Sequence, residues 1–210
     1  TYVEIDVDGE VFMRDVAAEP CGSFQDLDAF VRDGEVTFGY RVRAVTWGDI
    51  HHEQLDRRIA AASFGYDVKT RQHTHDDNLL DVLQPETQFF RDTLDFRRRN
   101  HHDARNPHVR ARVLKASNDL VESEVEEAAD FINACVRPWC ETVMVESNHD
   151  NALAKWLLSP EGQADPANAG YWHGLNAAVY RAISEDDEAF NVVEHAMRGA
   201  GLDAGVKFVP

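Results

Sequence analysis

Residues 41–52 read Arg-Val-Arg-Ala-Val-Thr-Trp-Gly-Asp-Ile-His-His. The run 41–47 carries Val42, Val45 and Thr46 as a strand does, and Asp49 and His51 stand directly behind it. Working outward, residues 52–62 read as a helix with Leu55, Ile59 and Ala62 on one face. The same sequence of events then recurs. A strand at 87–91 delivers the chain to Asp92 and Asp95, and a strand at 141–146 delivers it to Asn148, His149 and Asp150. Between these two strands, Val121, Val125, Ala128, Ile132 and Cys135 form the stripe of a long helix, with Asn118 as its cap and Pro138 as its stop. Three further helices are expected at 151–158, 171–183 and 187–198, the last behind a Ser184-x-x-Asp187 capping box. Strands alternating with helices predict a layered α/β domain over residues 40–210, its sheet flanked by helices. The closing Lys207-Phe208-Val209-Pro210 reads as the start of another strand. We therefore expect a sheet that is incomplete at this end, with an exposed edge through which two copies would associate.

Residues 1–39 are different in kind. Val3, Ile5 and Val7 precede Asp8-Gly9 and a second apolar run, which is a hairpin signal. Ser23-x-x-Asp26 ahead of Leu27, Phe30 and Val31 predicts a short helix closed by Gly34. This segment is expected to be the remnant of an upstream domain or an edge decoration. The start at Thr1 suggests a piece of a longer polypeptide.

The chain has 210 residues, 43% hydrophobic and 28% charged, enough to bury a core. No run approaches the length of a membrane span, and the first residues lack the character of a signal peptide. Three cysteines, none in a C-x-x-C pair, argue against a disulfide framework or a thiolate zinc site and suggest a reducing, cytoplasmic setting. The net charge of -17 repels nucleic acid overall, so a phosphate-bearing substrate needs bound cations or local basic groups. One basic segment exists: residues 91–115 hold eight Arg or Lys against three Asp. Arg97, His101 and His102 within it are the candidate substrate-binding residues.

In an open α/β sheet ligands bind outside the carboxyl ends of the strands, so the three strand-end groups should converge. Carboxylate, imidazole and amide donors together make mixed O/N sites for Mn²⁺, Fe, Zn²⁺ or Mg²⁺. Two such ions sharing a carboxylate would activate water for in-line attack on phosphorus. His73-Thr74-His75-Asp76-Asp77 has the composition of a second metal cluster, without the strand-end position. His173 and His195 read as helix-face residues.

Asp49-x-His51, Asp92-x-x-Asp95 and Asn148-His149-Asp150, in that order, resemble the first three motifs of the calcineurin-like metallophosphoesterases, D-x-H, G-D-x-x-D and G-N-H-[DE]. The resemblance covers about residues 41–158. It implies that Asp49 and His51 hold one metal, Asp92 bridges, and Asn148 holds the second, with manganese the foremost choice. His149 would be the catalytic histidine and Asp150 its orienting partner, while Asp95 would orient ligands or cap a turn. Residues 90–96, Phe-Arg-Asp-Thr-Leu-Asp-Phe, with Arg99-Asn100-His101-His102, also look like the phage DNA-transfer branch of that superfamily. Arg91 and Ser147 stand where the motifs have glycine, and the lone His and G-H-x-H motifs are not found after Asp150. They are expected beyond residue 210, which would leave this chain weak in metal binding and turnover. Two functions follow as expectations: a dinuclear phosphoesterase acting on phosphodiesters, DNA among them, or a phosphoesterase fold used as a non-catalytic scaffold in phage DNA transfer.

Overall fold

The computed structural model describes residues 1–5, 7–9, 11–99, 106–115 and 119–210. The N-terminal segment forms β1 (Tyr2–Ile5) and β2 (Val11–Arg14), an antiparallel hairpin turning through Gly9 at φ 81°. It continues as an antiparallel meander of β3 (Phe24–Asp26), β4 (Ala29–Arg32) and β5 (Glu35–Thr37). The helix expected behind Ser23 is thus not formed. Asp33 and Gly34, at φ 51° and 82°, make the two-residue left-handed turn between β4 and β5. An Asp-Gly pair favours that hairpin turn, and it outweighs the local capping signal.

The body of the chain is α/β. Its central sheet holds four parallel strands in the order β11, β10, β9, β6, where β6 is Ala44–Thr46, β9 Thr87–Phe90, β10 Glu141–Val145 and β11 Lys207–Val209. The first crossover carries a 3-10 turn at His52–Gln54, α1 (Arg57–Phe64), the short pair β7 (Tyr66–Asp67) and β8 (Gln72–His73), and α2 (Leu79–Leu83). The 52–62 expectation therefore splits, because Asp56 caps α1 by accepting from Arg58 N and Ile59 N. The second crossover holds α3 (Pro107–Lys115) and α4 (Val121–Cys135). The third holds α5 (Ala152–Leu157), α6 (Pro160–Gln163), α7 (Ala169–Ser184) and α8 (Val192–Gly199). Residue 118, the expected cap of α4, lies outside the described residues. Asn168 Oδ1 instead accepts from Val121 N at 2.7 Å. Asn191 rather than the Ser184 box caps α8.

One face of the sheet, with Val45, Phe90, Met144 and Phe208, packs into the core. The α4 stripe is fully buried against it. Phe131 of α4 meets Phe64 and Phe90 edge-on at 5.2 and 5.8 Å between ring centroids, and Trp47 meets Phe64 at 4.6 Å. Each such aromatic side chain contributes about 1.5–3 kcal/mol by leaving water. Gln88, buried in the sheet, is satisfied on both ends: its Nε2 donates to Cys135 O and Thr142 Oγ1, and its Oε1 accepts from Trp47 Nε1. On the opposite face Ala44, Thr46, Glu141, Lys207 and Val209 are exposed.

Candidate metal centre

Because the four strands are parallel, the loops after β6, β9 and β10 emerge on the same side. Backbone hydrogen bonds lace the first two together: His51 N donates to Asp92 O at 2.8 Å and His52 N to Thr93 O at 3.2 Å. Asp150 ties in the third, its Oδ1 accepting from Leu94 N at 2.8 Å and its Oδ2 from Ser147 N and Oγ at 3.1 and 2.8 Å. Three non-glycine residues of these loops sit in left-handed backbone, His51 (φ 42°), Asp92 (φ 49°) and Phe96 (φ 50°). Such strain persists only where surrounding contacts impose it. Arg91 and Ser147 are not among the positive-φ residues, so neither position needs a glycine. Ser147 adds a turn of its own, with Oγ accepting from His149 N and Asp150 N.

The lacing brings His51, Asp95 and His149 together, one donor atom of each lying within 4.8 Å of the others. Asp95 is the hub. Its Oδ1 lies 3.1 Å from His51 Nδ1 and 3.9 Å from His149 Nδ1, while its Oδ2 accepts from Gln54 Nε2 at 2.6 Å. The two imidazoles meet edge to face at 4.5 Å. Asp92 is 2% exposed; its Oδ2 accepts from Arg91 Nε at 3.0 Å. Burial would push the Asp92 carboxyl up, but Ser147, Arg91 and Asp49 beside it hold it below the usual carboxylate range. Its Oδ1 and His51 Nδ1 are buried without a hydrogen-bond partner. A buried, unpaired Asp92 oxygen with the Asp49 carboxylate beside it fits a divalent cation, and the His51, Asp95 and His149 donors stand together in the same strand-end loops.

Not every expected residue takes its expected place. Asp150 is fully buried, its oxygens are occupied by Leu94 and Ser147, and burial pushes its carboxyl up. It shapes the loops, and the carboxylate facing His149 is that of Asp95. Asn148 is exposed in the turn after β10. His101 and His102 lie outside the described residues. Arg97 is exposed, and its backbone N–H donates to Glu124 Oε1. Its neighbours are not available to a substrate: Arg98 and Arg99 are 2% and 6% exposed. Arg98 pairs with Glu53 and Glu127 at 3.1 and 2.7 Å, and Arg99 with Asp119 at 2.7 Å and with Asp165. His173 and His195 are exposed on α7 and α8. Sequence reasoning missed the burial of the arginines, and it left Asp95 between orienting ligands and capping a turn. The only local signal was the Asp at the fourth place of Asp92-x-x-Asp95.

Comparison with known proteins adds one relative. The chain is 38% identical over 201 residues to protein A1 of Escherichia phage T5. That match takes in 93% of this chain but 35% of the relative, so the chain spans about a third of the phage protein it matches. No protein-family model matches the chain, and no solved structure matches it. The matched stretch includes most of the chain, and so the similarity to protein A1 extends well beyond the short motifs. Among the described residues no helix is long and apolar enough to cross a membrane.

Proposed function

We propose that this chain carries the first part of a metal-dependent phosphodiesterase centre of the calcineurin-like type, with DNA as the candidate substrate. The observation that supports it is the meeting of His51, Asp95 and His149 at the carboxyl ends of parallel strands, with Asp92 and Asp49 side by side in the same loops and one Asp92 oxygen left unpaired. Asp49, His51 and Asp92 would hold the cation, and Asn148 is the candidate ligand for a second one. Manganese is the foremost choice for such oxygen-rich mixed donors. A cation there would supply Lewis acidity, neutralising phosphoryl charge and making water more acidic.

The remaining work falls to His149 and Asp95. The Asp95 carboxylate, 3.9 Å from His149 Nδ1, would orient the ring and leave Nε2 to serve the reaction. As water adds to phosphorus and the ester P–O bond breaks, Nε2 would give a proton to the leaving oxygen while the attacking water releases one of its own to solvent. The molecule's -17 charge would otherwise oppose a polyanion, so the cations also admit the substrate. Similarity to a phage protein A1 is consistent with a role in phage nucleic-acid handling, with a non-catalytic scaffold as the competing reading.

The test is Mn²⁺ titration by calorimetry followed by hydrolysis of an aryl phosphodiester and of duplex DNA. We expect cation uptake that Asp92→Ala abolishes, and hydrolysis that a chelator stops. Chelator-resistant hydrolysis would overturn the metal reading. Uptake without hydrolysis, in this chain and in any longer form, would favour the scaffold.

A further inference from the structure

A second group of metal-type ligands lies at the other end of the sheet. His73 ends β8, Asp76 follows in the turn, and Asp81 sits in the first turn of α2. They line an open cavity of about 580 Å³ together with Gln84, Arg137 and Trp139, residues that precede β9 and β10. The cavity therefore opens at the amino ends of these strands, away from the centre described above.

Three observations distinguish this group from ordinary surface charge. First, His73 Nε2 is shielded from solvent and has no hydrogen-bond partner. Second, its neighbours are spaced as ligands and not as hydrogen-bond partners. Nε2 lies 3.4 Å from Asp76 Oδ1 and 3.7 Å from Asp81 Oδ2, and all three atoms are within 4.8 Å of one another. A charge-assisted N–H···O contact would close to about 2.7–2.9 Å. Donors about 2.0–2.2 Å from a tetrahedral Zn²⁺ are instead separated by about 3.4 Å. Third, Asp81 is held in place. Arg137 donates through Nε and Nη2 to both oxygens of Asp81 at 2.8 and 2.9 Å, and Asn78 Nδ2 donates to Asp81 Oδ2 at 2.5 Å. Gly65, at φ 65°, lies under the loop, where a Cβ would come within 2.9 Å of His73 Nε2 and 2.1 Å of His75 O.

We propose that His73, Asp76 and Asp81 form a binding site for a zinc-class divalent cation, with Arg137 as the residue that positions Asp81. One imidazole and two carboxylates leave a fourth position for water. The two carboxylates balance a dication, and Arg137 holds Asp81 in place while adding one positive charge beside the site. The ion would clip the end of β8 to the start of α2. This site stands independently of the proposed phosphodiesterase activity.

The experiment counts ions on the whole chain. Zn²⁺ is the probe, read by elemental analysis after dialysis, and Co²⁺ is the spectroscopic probe, because tetrahedral Co²⁺ absorbs strongly in the visible. An Asp92→Ala/Asp95→Ala chain, emptied at the first centre, is expected to retain one Zn²⁺ and the tetrahedral Co²⁺ band. Adding His73→Ala should remove both signals, and adding the surface change Asp76→Asn should weaken binding by at least about tenfold. Circular dichroism confirms that each variant is folded. Retention of no ion by the doubly substituted chain, or equal retention with and without His73, would overturn the site. Failure of the phosphodiesterase reading would show in hydrolysis and in Asp92-dependent uptake, which these measurements leave separate.

Discussion

Asp92 combines two demands on one residue, a left-handed backbone at φ 49° and a buried carboxylate with an unpaired oxygen. Asparagine tolerates that backbone and β-branched residues do not. We expect Asp92→Asn to lose cation uptake with an unchanged melting temperature, and Asp92→Val to lose both; calorimetry and thermal melts separate the two. His149→Ala should keep the cations, since the side chain is partly exposed, while lowering turnover by roughly 10²- to 10⁴-fold. At this scale the sequence was informative about Asp49, His51, Asp92 and His149, because each follows a strand and strand ends converge. It was silent on the direction of each carboxylate. Asp95 and Asp150 are both short acids in strand-end loops, and only the hydrogen bonds to Leu94 and Ser147 turn Asp150 away from the histidine.

The 3-10 turn at Arg97–Arg99 shows how an element's setting can reverse the reading of its composition. Three consecutive arginines suggest a surface for phosphate, yet two of them are interior. Their partners lie far along the chain, at Glu53, Glu127, Asp119 and Asp165, and no local pattern announces that pairing. Removing one member leaves a buried charge alone, so Arg98→Ala should cost roughly 3–5 kcal/mol in urea unfolding. Neutralising Arg97, which is exposed, should cost little. Glu127 of α4 gives the same network a pH signature. Burial would raise its carboxyl, but contacts with His52, Arg98 and Arg71 hold it near about 2. A depressed carboxylate stabilises the fold above its ordinary value near 4.5 and stops doing so as pH falls through the folded value. The stability difference between the native chain and Glu127→Gln should therefore shrink as pH drops from 4.5 toward 2, as followed by denaturant unfolding. By contrast α4 itself was legible residue by residue, since a stripe at helical spacing leaves little choice of buried face. The meander at 24–37 was not, because a capping box and an Asp-Gly turn compete within a dozen residues.

Across the whole molecule the buried core begins at Trp47, with Val45 packed against it, and among the described residues takes no member from 1–39. Val3, Ile5, Val11 and Met13 of the N-terminal hairpin remain 52–72% exposed. Deleting residues 1–39 should therefore leave the melting midpoint of the α/β body nearly unchanged; a large fall would show that the hairpin and meander belong to its cooperative unit. The order of strands in the central sheet has a consequence for how this body forms in time. β6, β9, β10 and β11 pair in chain order, yet every neighbour is reached across a long crossover, from Ala44 to Thr87, from Thr87 to Glu141 and from Val143 to Lys207. No pair in this sheet is a hairpin, so each must close a large loop before it gains a contact, and folding should be slow compared with a helical bundle of the same size. During synthesis the hairpin and meander can form as they emerge. The last strand of the sheet arrives some sixty residues after its partner, and until then β10 offers a bare parallel edge to whatever is nearby.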